Sequence, residues 1–450
     1  MKLLKELELQ FDDPLWAYDP ELAMVDTLLN LHPELYAIVS ADILALGKNN
    51  EMGRQDGPVV EQVVRAALYK ELKGLNYQEL EYAQIDSRIC PLFIKLGVRD
   101  PFSYEVLHKY IAAIQPESLG KLMVEINKLA LAENLEDASG VREDSTVVET
   151  NIHYPTNNAL VWDCIRVSQR ILGKLRKIEE SLEGGVSLAR AKKNFYQINV
   201  SKKAEERDQC FTQQLNALKR CIEQTAKALK KLQGNGKKAN RKTRKLCQRL
   251  EELLPKMTKV YAMASRKELF GQRVPNEEKL FSIFEDHTDI IVKGAREVQF
   301  GHKVDLAVGR KGMILVCQVA EGNPSDQSFY PQMLEQLKKN YRVTPQDLVT
   351  DGGYASLDNQ KLAQKKGVIN IVFNKVMGSL RNLVSSTRLE KRLKKWRSGI
   401  EAVISNWKRG FQMFRCEWKG RARFEAKVLW SILAYNFRVM TRVALGQIVA

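Results

Sequence analysis

Three carboxylates in the 450-residue chain have neighbours that make them candidates for chemistry: Asp144, Asp351 and Glu401. Asp351 follows Leu348-Val349-Thr350, which suits a strand, and precedes Gly352-Gly353, which ends it abruptly. Its carboxylate is then held at the mouth of a buried strand. Asp before Gly is also ordinary turn chemistry, so Asp351 gains meaning only if other carboxylates converge on it. Asp144 lies within residues 141–150, a stretch whose second half is dominated by β-branched residues. An unpartnered carboxylate buried there is costly, and taken alone the stretch reads as an exposed edge. Glu401 is the only acid between residues 391 and 415. Arg397, Glu401 and Lys408 stand at i, i+4 and i+11, which is one face of a continuous helix. Taken alone, Arg397 and Glu401 read as a surface pair worth about 0.2–0.5 kcal/mol.

Brought together from a strand, a strand end and a helix, three carboxylates could hold two Mg²⁺ ions. Mg²⁺ takes a few carboxylates and completes its shell with water and phosphate oxygens. Two such ions, about 3.5–4 Å apart, activate a water or a 3′-hydroxyl and stabilise the leaving oxygen of a phosphodiester.

The elements that must position these groups can be read in order. Residues 1–50 look helical, with Leu22, Val25, Leu28 and Leu29 on one face. After a break from Gly53 to Pro58, residues 59–69 read as a buried helix. Gly74-Leu75-Asn76 makes a turn before a second helix, and Asp100-Pro101-Phe102-Ser103 caps a third over residues 104–114. Short helices with tight turns suit a helix-turn-helix-like module or a plain bundle. Residues 160–270 carry apolar residues at 3–4 spacing: Ile171, Leu175, Ile178 and Leu182, then Leu215, Leu218 and Ile222 with Leu229 and Leu232, then Leu246, Leu250, Leu253 and Met257. Gly184-Gly185 and Gly234-Asn235-Gly236 interrupt them. The pattern predicts two or three long helices folded into an antiparallel coiled-coil arm. Residues 297–308 alternate as a strand, Gly309-Arg310-Lys311-Gly312 is a hairpin turn, and residues 313–320 form an apolar antiparallel partner. A helix to about Lys339, the Asp351 strand, a strand over 367–373, a basic helix over 393–410 and an amphipathic helix over 424–443 complete the chain. Apart from the arm, this is the strand order of an RNase H-like sheet. The fold expected is therefore α/β, with a mixed five-stranded sheet, flanking helices, an N-terminal all-helical domain and an inserted arm. Its domains are residues 1–135, residues 136–158 with 271–450, and the insertion 159–270.

The net charge of +17 is concentrated in two blocks. Residues 161–270 hold 27 Lys/Arg against 11 Asp/Glu, and residues 375–450 hold 17 against 4. Such blocks are the footprint of a polyphosphate partner rather than of two solvated helix faces. On the arm, Lys237, Lys238, Arg241, Lys242, Arg244 and Lys245 are the candidate DNA contacts. The seven cysteines are scattered, with no Cys-x-x-Cys, which excludes a disulfide framework and a zinc site of that type. The start of the chain turns acidic at Asp12-Asp13, unlike a secretory signal, and the last apolar run is broken by Arg438 and Arg442, so no membrane span is expected. A cytoplasmic protein with reduced thiols is the expectation.

The sequence resembles the insertion-sequence DDE transposases. The likeness runs through Asp144-Ser145-Thr146, Ile152-His153-Tyr154-Pro155-Thr156, Phe300-Gly301-His302-Lys303-Val304, Asp351-Gly352-Gly353-Tyr354 and Arg397-x3-Glu401-x6-Lys408. The last is similar to a Tyr-x2-Arg-x3-Glu-x6-Lys signature, with Lys394 at the Tyr position. Residues 416–423 and Ala434-Tyr435-Asn436 resemble the family's end, and residues 54–115 its DNA-binding region. The arm between the first two strands suggests the loosely classified ISNCY group. The resemblance implies that Asp144, Asp351 and Glu401 are the catalytic and metal-binding triad, holding two Mg²⁺ ions for which Mn²⁺ substitutes. It implies that Arg397, Lys408 and Lys394 meet DNA. The activity implied is cleavage at terminal inverted repeats and joining of 3′ ends to target DNA, by a homodimer or higher oligomer. A non-catalytic DNA-binding relative and a nuclease without strand transfer are the alternatives. The Gly352-Gly353 turn is expected to leave room for a DNA backbone.

Overall fold

The computed structural model describes residues 14–47, 57–182, 184–234, 240–293, 297–376 and 380–446. Residues 1–13, Gly53, Asn235, Gly236, Lys237 and Lys238, which entered the sequence reading, lie outside the described residues. By chain contacts the protein divides into two units, residues 1–150 with 301–450, and residues 151–300.

The first unit begins with helices α1 (Pro20–Leu31), α2 (Glu34–Leu44), α3 (Val60–Lys73), α4 (Tyr77–Asp86), α5 (Ile89–Phe93), α6 (Tyr104–Ile111) and α7 (Pro116–Ala132). Their starts follow local rules. Asp19 accepts from the Leu22 amide and Ser103 from the Val106 amide, and Pro20 and Pro116 open their helices. α3 is buried almost all round, including Arg65, which is fully buried. The Arg65 guanidinium is satisfied by Asp26 at 2.6 Å, Asn30 at 2.7 Å, Glu61 at 2.8 Å and the Phe93 carbonyl at 3.1 Å. Without those partners its burial would cost several kcal/mol.

Strand β1 (Gly140–Thr150) follows, then the second unit with α8 (Asn157–Arg176), α9 (Leu188–Val200), α10 (Ala204–Gly234) and α11 (Arg241–Glu268). Four helices stand where two or three were expected. α8 stops at Arg176, so Ile178 and Leu182 fall beyond it and do not continue its stripe. α10 packs on α8, α9 and α11, and α8 also packs on α9 and α11. Leu172, Leu215, Leu218, Leu250 and Met257 are buried in their shared core. This is bundle packing around one core, a wider interface than a two-helix seam.

The remaining elements are β2 (Asp289–Lys293), β3 (Glu297–Val308), β4 (Ile314–Val319), α12 (Phe329–Tyr341), β5 (Asp347–Asp351), α13 (Leu357–Lys365), β6 (Asn370–Asn374), α14 (Thr387–Arg397), α15 (Gly399–Gly410), β7 (Arg415–Cys416) and α16 (Arg421–Ala444). The sheet runs β2-β3-β1-β5-β6, with β4 also on β3 and β7 also on β1. It has seven strands, because the short β2 and β7 join the five legible in the sequence. β3 is antiparallel to both β1 and β4, while β5 is parallel to β1 and β6 parallel to β5.

β1 is an interior strand, which overturns the exposed-edge reading of residues 141–150. β3 pairs with it from Arg142 to Glu149. On its other side β5 reaches only from Gly140 to Glu143, and β7 only Glu149 and Thr150. Residues 144–148 therefore have no strand partner on that side among the described residues.

The last helix ties the first unit together. Asn436 donates to the Ile314 carbonyl at 2.8 Å and accepts from the Ile314 amide at 2.9 Å, so it satisfies both backbone groups on the outer side of β4. Asn127 of α7 joins the same carbonyl at 3.1 Å. α16 also packs on α3 and α7, and one apolar core runs from α1–α7 through β3 and β4 to α15 and α16. No helix among the described residues is long and apolar enough to cross a membrane.

Candidate active site

Sheet register brings the first two carboxylates together. Glu143 pairs with Thr350, so the next residues along these parallel strands are Asp144 and Asp351. Asp144 sits where β1 loses its β5 neighbour, and Asp351 is the last residue of β5. Side chains alternate along β1. Arg142 and Asp144 point to α14, whereas Glu143 and Ser145 point to the opposite face, where Asp305 and Asp326 lie.

The third group arrives on a helix that is not continuous. The basic segment expected as one helix is two, α14 and α15, meeting at Ser398. Arg142 donates to the Trp396 carbonyl at 2.8 Å, taking an acceptor that a straight helix would use itself. A Cβ on Gly399 would lie 2.3 Å from the Arg142 guanidinium, so only Gly lets Arg142 reach that carbonyl. The Arg397–Glu401 spacing survives the junction, at 3.2 Å.

All three carboxylates converge on Arg397. Its guanidinium lies 2.7 Å from Asp144, 3.2 Å from Glu401 and 3.9 Å from Asp351. Arg397 is only 5% exposed, so it is no surface residue. The side chains around it open progressively to solvent, from Asp144 at 19% through Asp351 at 41% to Glu401 at 67%. Asp144 also accepts from the Ser145 amide at 2.9 Å. Asp351 Oδ1 is buried and has no hydrogen-bond partner. Among the described residues, no group of three or more His, Cys, Asp or Glu side chains stands close enough to hold one metal ion. The carboxylates surround a guanidinium rather than a common point.

The other expected DNA-facing residues are distributed differently. Lys408 donates to the Val147 carbonyl at 2.5 Å, on the stretch of β1 left open between β5 and β7, and lies over the Phe414 ring. Lys394 pairs with Glu390 at 2.7 Å. Arg241, Lys242, Arg244 and Lys245 are exposed on α11, with Thr243 buried between them and Leu246 buried after them.

The Gly352-Gly353 turn serves the protein's own chain. A Cβ on Gly352 would lie 2.5 Å from the Lys375 carbonyl and 2.8 Å from that of Asn374. Beside the turn lies an open cavity of about 900 Å³ lined by Asp351, Gly352, Gly353, Lys375 and Arg381, so the glycines also border free space. The turn is one 3₁₀ element, Gly352–Tyr354, that swings Tyr354 into the core. There the Tyr354 hydroxyl donates to Asp305 at 2.5 Å.

Tyr354, Asp305 and Glu143 form a buried acidic network that was not picked out from the sequence. Burial, with Asp305 beside it, pushes the Glu143 carboxyl well above the usual range. Burial also pushes the Asp305 carboxyl up to about 7, opposed by the hydrogen bond it accepts from Tyr354. Asp326, at the open side, accepts from Ser145 at 3.1 Å and from Lys303 at 3.2 Å. The signal was present: Asp305 interrupts the apolar run Val304 to Val308. A charge in the middle of an interior strand calls for a partner.

Residues 286–437 match the family model described as Transposase DDE domain. The chain is similar to the DDE transposases over that span. No curated protein and no solved structure matched the chain. The matched span contains Asp351, Arg397, Glu401 and Lys408, whereas Asp144 lies before it. The transposase-like part thus spans β2 to most of α16, the elements that carry the Asp351 strand end and the α14–α15 junction.

Proposed function

We propose that the chain is a DNA transposase that cuts at the terminal inverted repeats of its element and joins the 3′ ends to target DNA. The observation that carries this reading is the convergence of Asp144, Asp351 and Glu401 on Arg397, in a chain matching a transposase DDE domain. The five strands β4-β3-β1-β5-β6, with their antiparallel and parallel halves, support an RNase H-like catalytic core made of residues 136–158 and 271–450. Residues 1–135 are assigned to reading the repeats. The insertion 159–270 is assigned to holding the DNA backbone through Arg241, Lys242, Arg244 and Lys245.

The donor set fits Mg²⁺ or Mn²⁺: three hard carboxylates, one with a buried oxygen that no donor satisfies. Asp144, Asp351 and Glu401 would hold the metal, whose chemistry is to activate a water or 3′-hydroxyl and stabilise the leaving oxygen. The protein's own part is positional. Register fixes Asp144 beside Asp351, and the Gly352 turn fixes the end of β5. Arg397 offsets one of the three negative charges and is the side chain that must give way, or turn towards a phosphate, when other cations or DNA arrive. Lys394 and Lys408 lie to either side on the same basic segment, where they can meet phosphates without reading sequence.

The test compares Asp144→Asn, Asp351→Asn and Glu401→Gln with the unaltered protein on uncut and pre-cut element ends, with a target plasmid present. Each variant should keep end binding and lose both cleavage and joining. Cleavage surviving all three changes would refute the assignment, and cleavage without joined product would favour a nuclease.

A further inference from the structure

Apart from the carboxylate site, a cavity of about 520 Å³ lies in the first unit where the turn from α3 to α4 meets the segment from α15 to α16. Its volume is that of a small-molecule site. Five cationic side chains line it, Lys70, Arg415, Lys419, Arg423 and Lys427, against two acids, Glu71 and Glu417. Their partners separate them. Lys70 and Lys427 both bind the buried Glu71, and Arg415 binds Glu149 at 2.9 Å. Lys419 and Arg423 are exposed and make no hydrogen bond or ion pair among the described residues.

The cavity also carries flat rings. Tyr77 and Trp418 lie 6.3 Å apart with their planes 27° from parallel, and the Lys70 ammonium sits over both rings. His108 meets Tyr77 edge-on. The Tyr77 hydroxyl is buried and has no hydrogen-bond partner. The buried Tyr77 hydroxyl lacks an acceptor, and the exposed Lys419 and Arg423 leave the cavity positively charged. The occupant that complements these features is anionic, with acceptor oxygens for Tyr77 and Arg423, and carries a planar ring to stack on the half-buried Trp418. A base with its phosphate has this chemistry, because every base offers a stacking face and every nucleotide an anion.

We propose that this cavity binds one nucleotide unit of a DNA strand, at a strand end or displaced from a duplex, through base stacking on Trp418 and phosphate binding by Arg423, Lys419 and Tyr77. The choice of DNA as the source rests on the transposase reading, whereas the ring-and-phosphate chemistry does not.

The probe is a short single strand with a 5′-phosphate and 2-aminopurine as its first base, titrated into the full chain while base fluorescence is followed. Saturable quenching is expected. Trp418→Leu should abolish it, Arg423→Ala should weaken binding about tenfold or more, and Tyr77→Phe, which keeps the ring, should weaken it several-fold. Arg423→Ala should melt like the unaltered protein, because Arg423 makes no hydrogen bond or ion pair among the described residues. Asp144→Asn should leave the quenching intact, so failure of the catalytic assignment is read separately. Quenching unchanged in Trp418→Leu or Arg423→Ala would overturn the site. Equal affinity for the free mononucleotide would overturn a DNA strand as its source.

Discussion

Arg397 lies 2.7 Å from Asp144, a residue 253 positions earlier in the chain, and both are largely withdrawn from water. The pair is the centre of the candidate site, because the same guanidinium also reaches Asp351 and Glu401. Its energetics follow from burial: the carboxylates need the cation, and the cation needs them.

Arg397→Ala should therefore destabilise the protein by about 3–5 kcal/mol in the absence of divalent metal, the usual cost of removing one partner of a buried pair. Mg²⁺ should restore part of the loss, since it would neutralise the same carboxylates. Thermal melts of both proteins with EDTA and with Mg²⁺ check this. A metal-induced rise in Tm no larger in the variant than in the unaltered protein would count against the carboxylates sharing a metal.

The buried network gives a pH dependence whose sign is fixed. The folded Asp305 carboxyl is raised from 3.8 to about 7, chiefly by burial. The groups facing it are Tyr354, Glu143, Asp326, Asp144 and Cys317. A carboxyl raised in the folded state holds a proton that the unfolded chain has lost, so its contribution is full below about 4 and is lost as pH rises through about 7. Glu143, raised in the same way, acts in the same direction. Melting curves across this window should be flatter for Asp305→Asn than for the unaltered protein. Tyr354→Phe removes a hydrogen bond that lowers the Asp305 value, so it should move the window to higher pH. Parallel curves for all three proteins would contradict a raised Asp305 carboxyl.

The two glycines after Asp351 should not be equivalent. Gly352→Ala places a Cβ against backbone carbonyls of residues 374 and 375, and overpacking of that kind costs about 1–3 kcal/mol. Gly353→Ala meets only the Asp326 side chain, at 2.9 Å, which can rotate away. Urea unfolding should rank Gly352→Ala well below Gly353→Ala, and cleavage assays should follow the same order because Asp351 ends the displaced strand.

The exposed bases of α11 predict an electrostatic effect without a stability effect. Replacing Arg241, Lys242, Arg244 and Lys245 by Ala should weaken duplex binding at low salt. The salt slope should fall by about 0.9 for each phosphate that is no longer neutralised. The Tm should barely change, because these side chains make no ion pair among the described residues. An unchanged salt slope would remove this face from the DNA path.

The residues alone dictated what is local. Strand and helix boundaries around residues 140–150, 297–319 and 347–351 follow from β-branched runs, alternation and glycine stops, which act over a few residues. Charge blocks and the spacing of Arg397 to Glu401 were equally legible, because i,i+4 neighbours meet in any helix. Long-range packing settled the rest. That β1 is interior depends on β3 and β5, which lie far along the chain from it. The α14–α15 junction depends on Arg142, whose reach to Trp396 no local pattern encodes. The sequence placed three carboxylates where they could meet. Only the sheet register and the buried charge of Arg397 decided that they meet around a guanidinium, with a second acidic network sealed on the opposite face of the same strand.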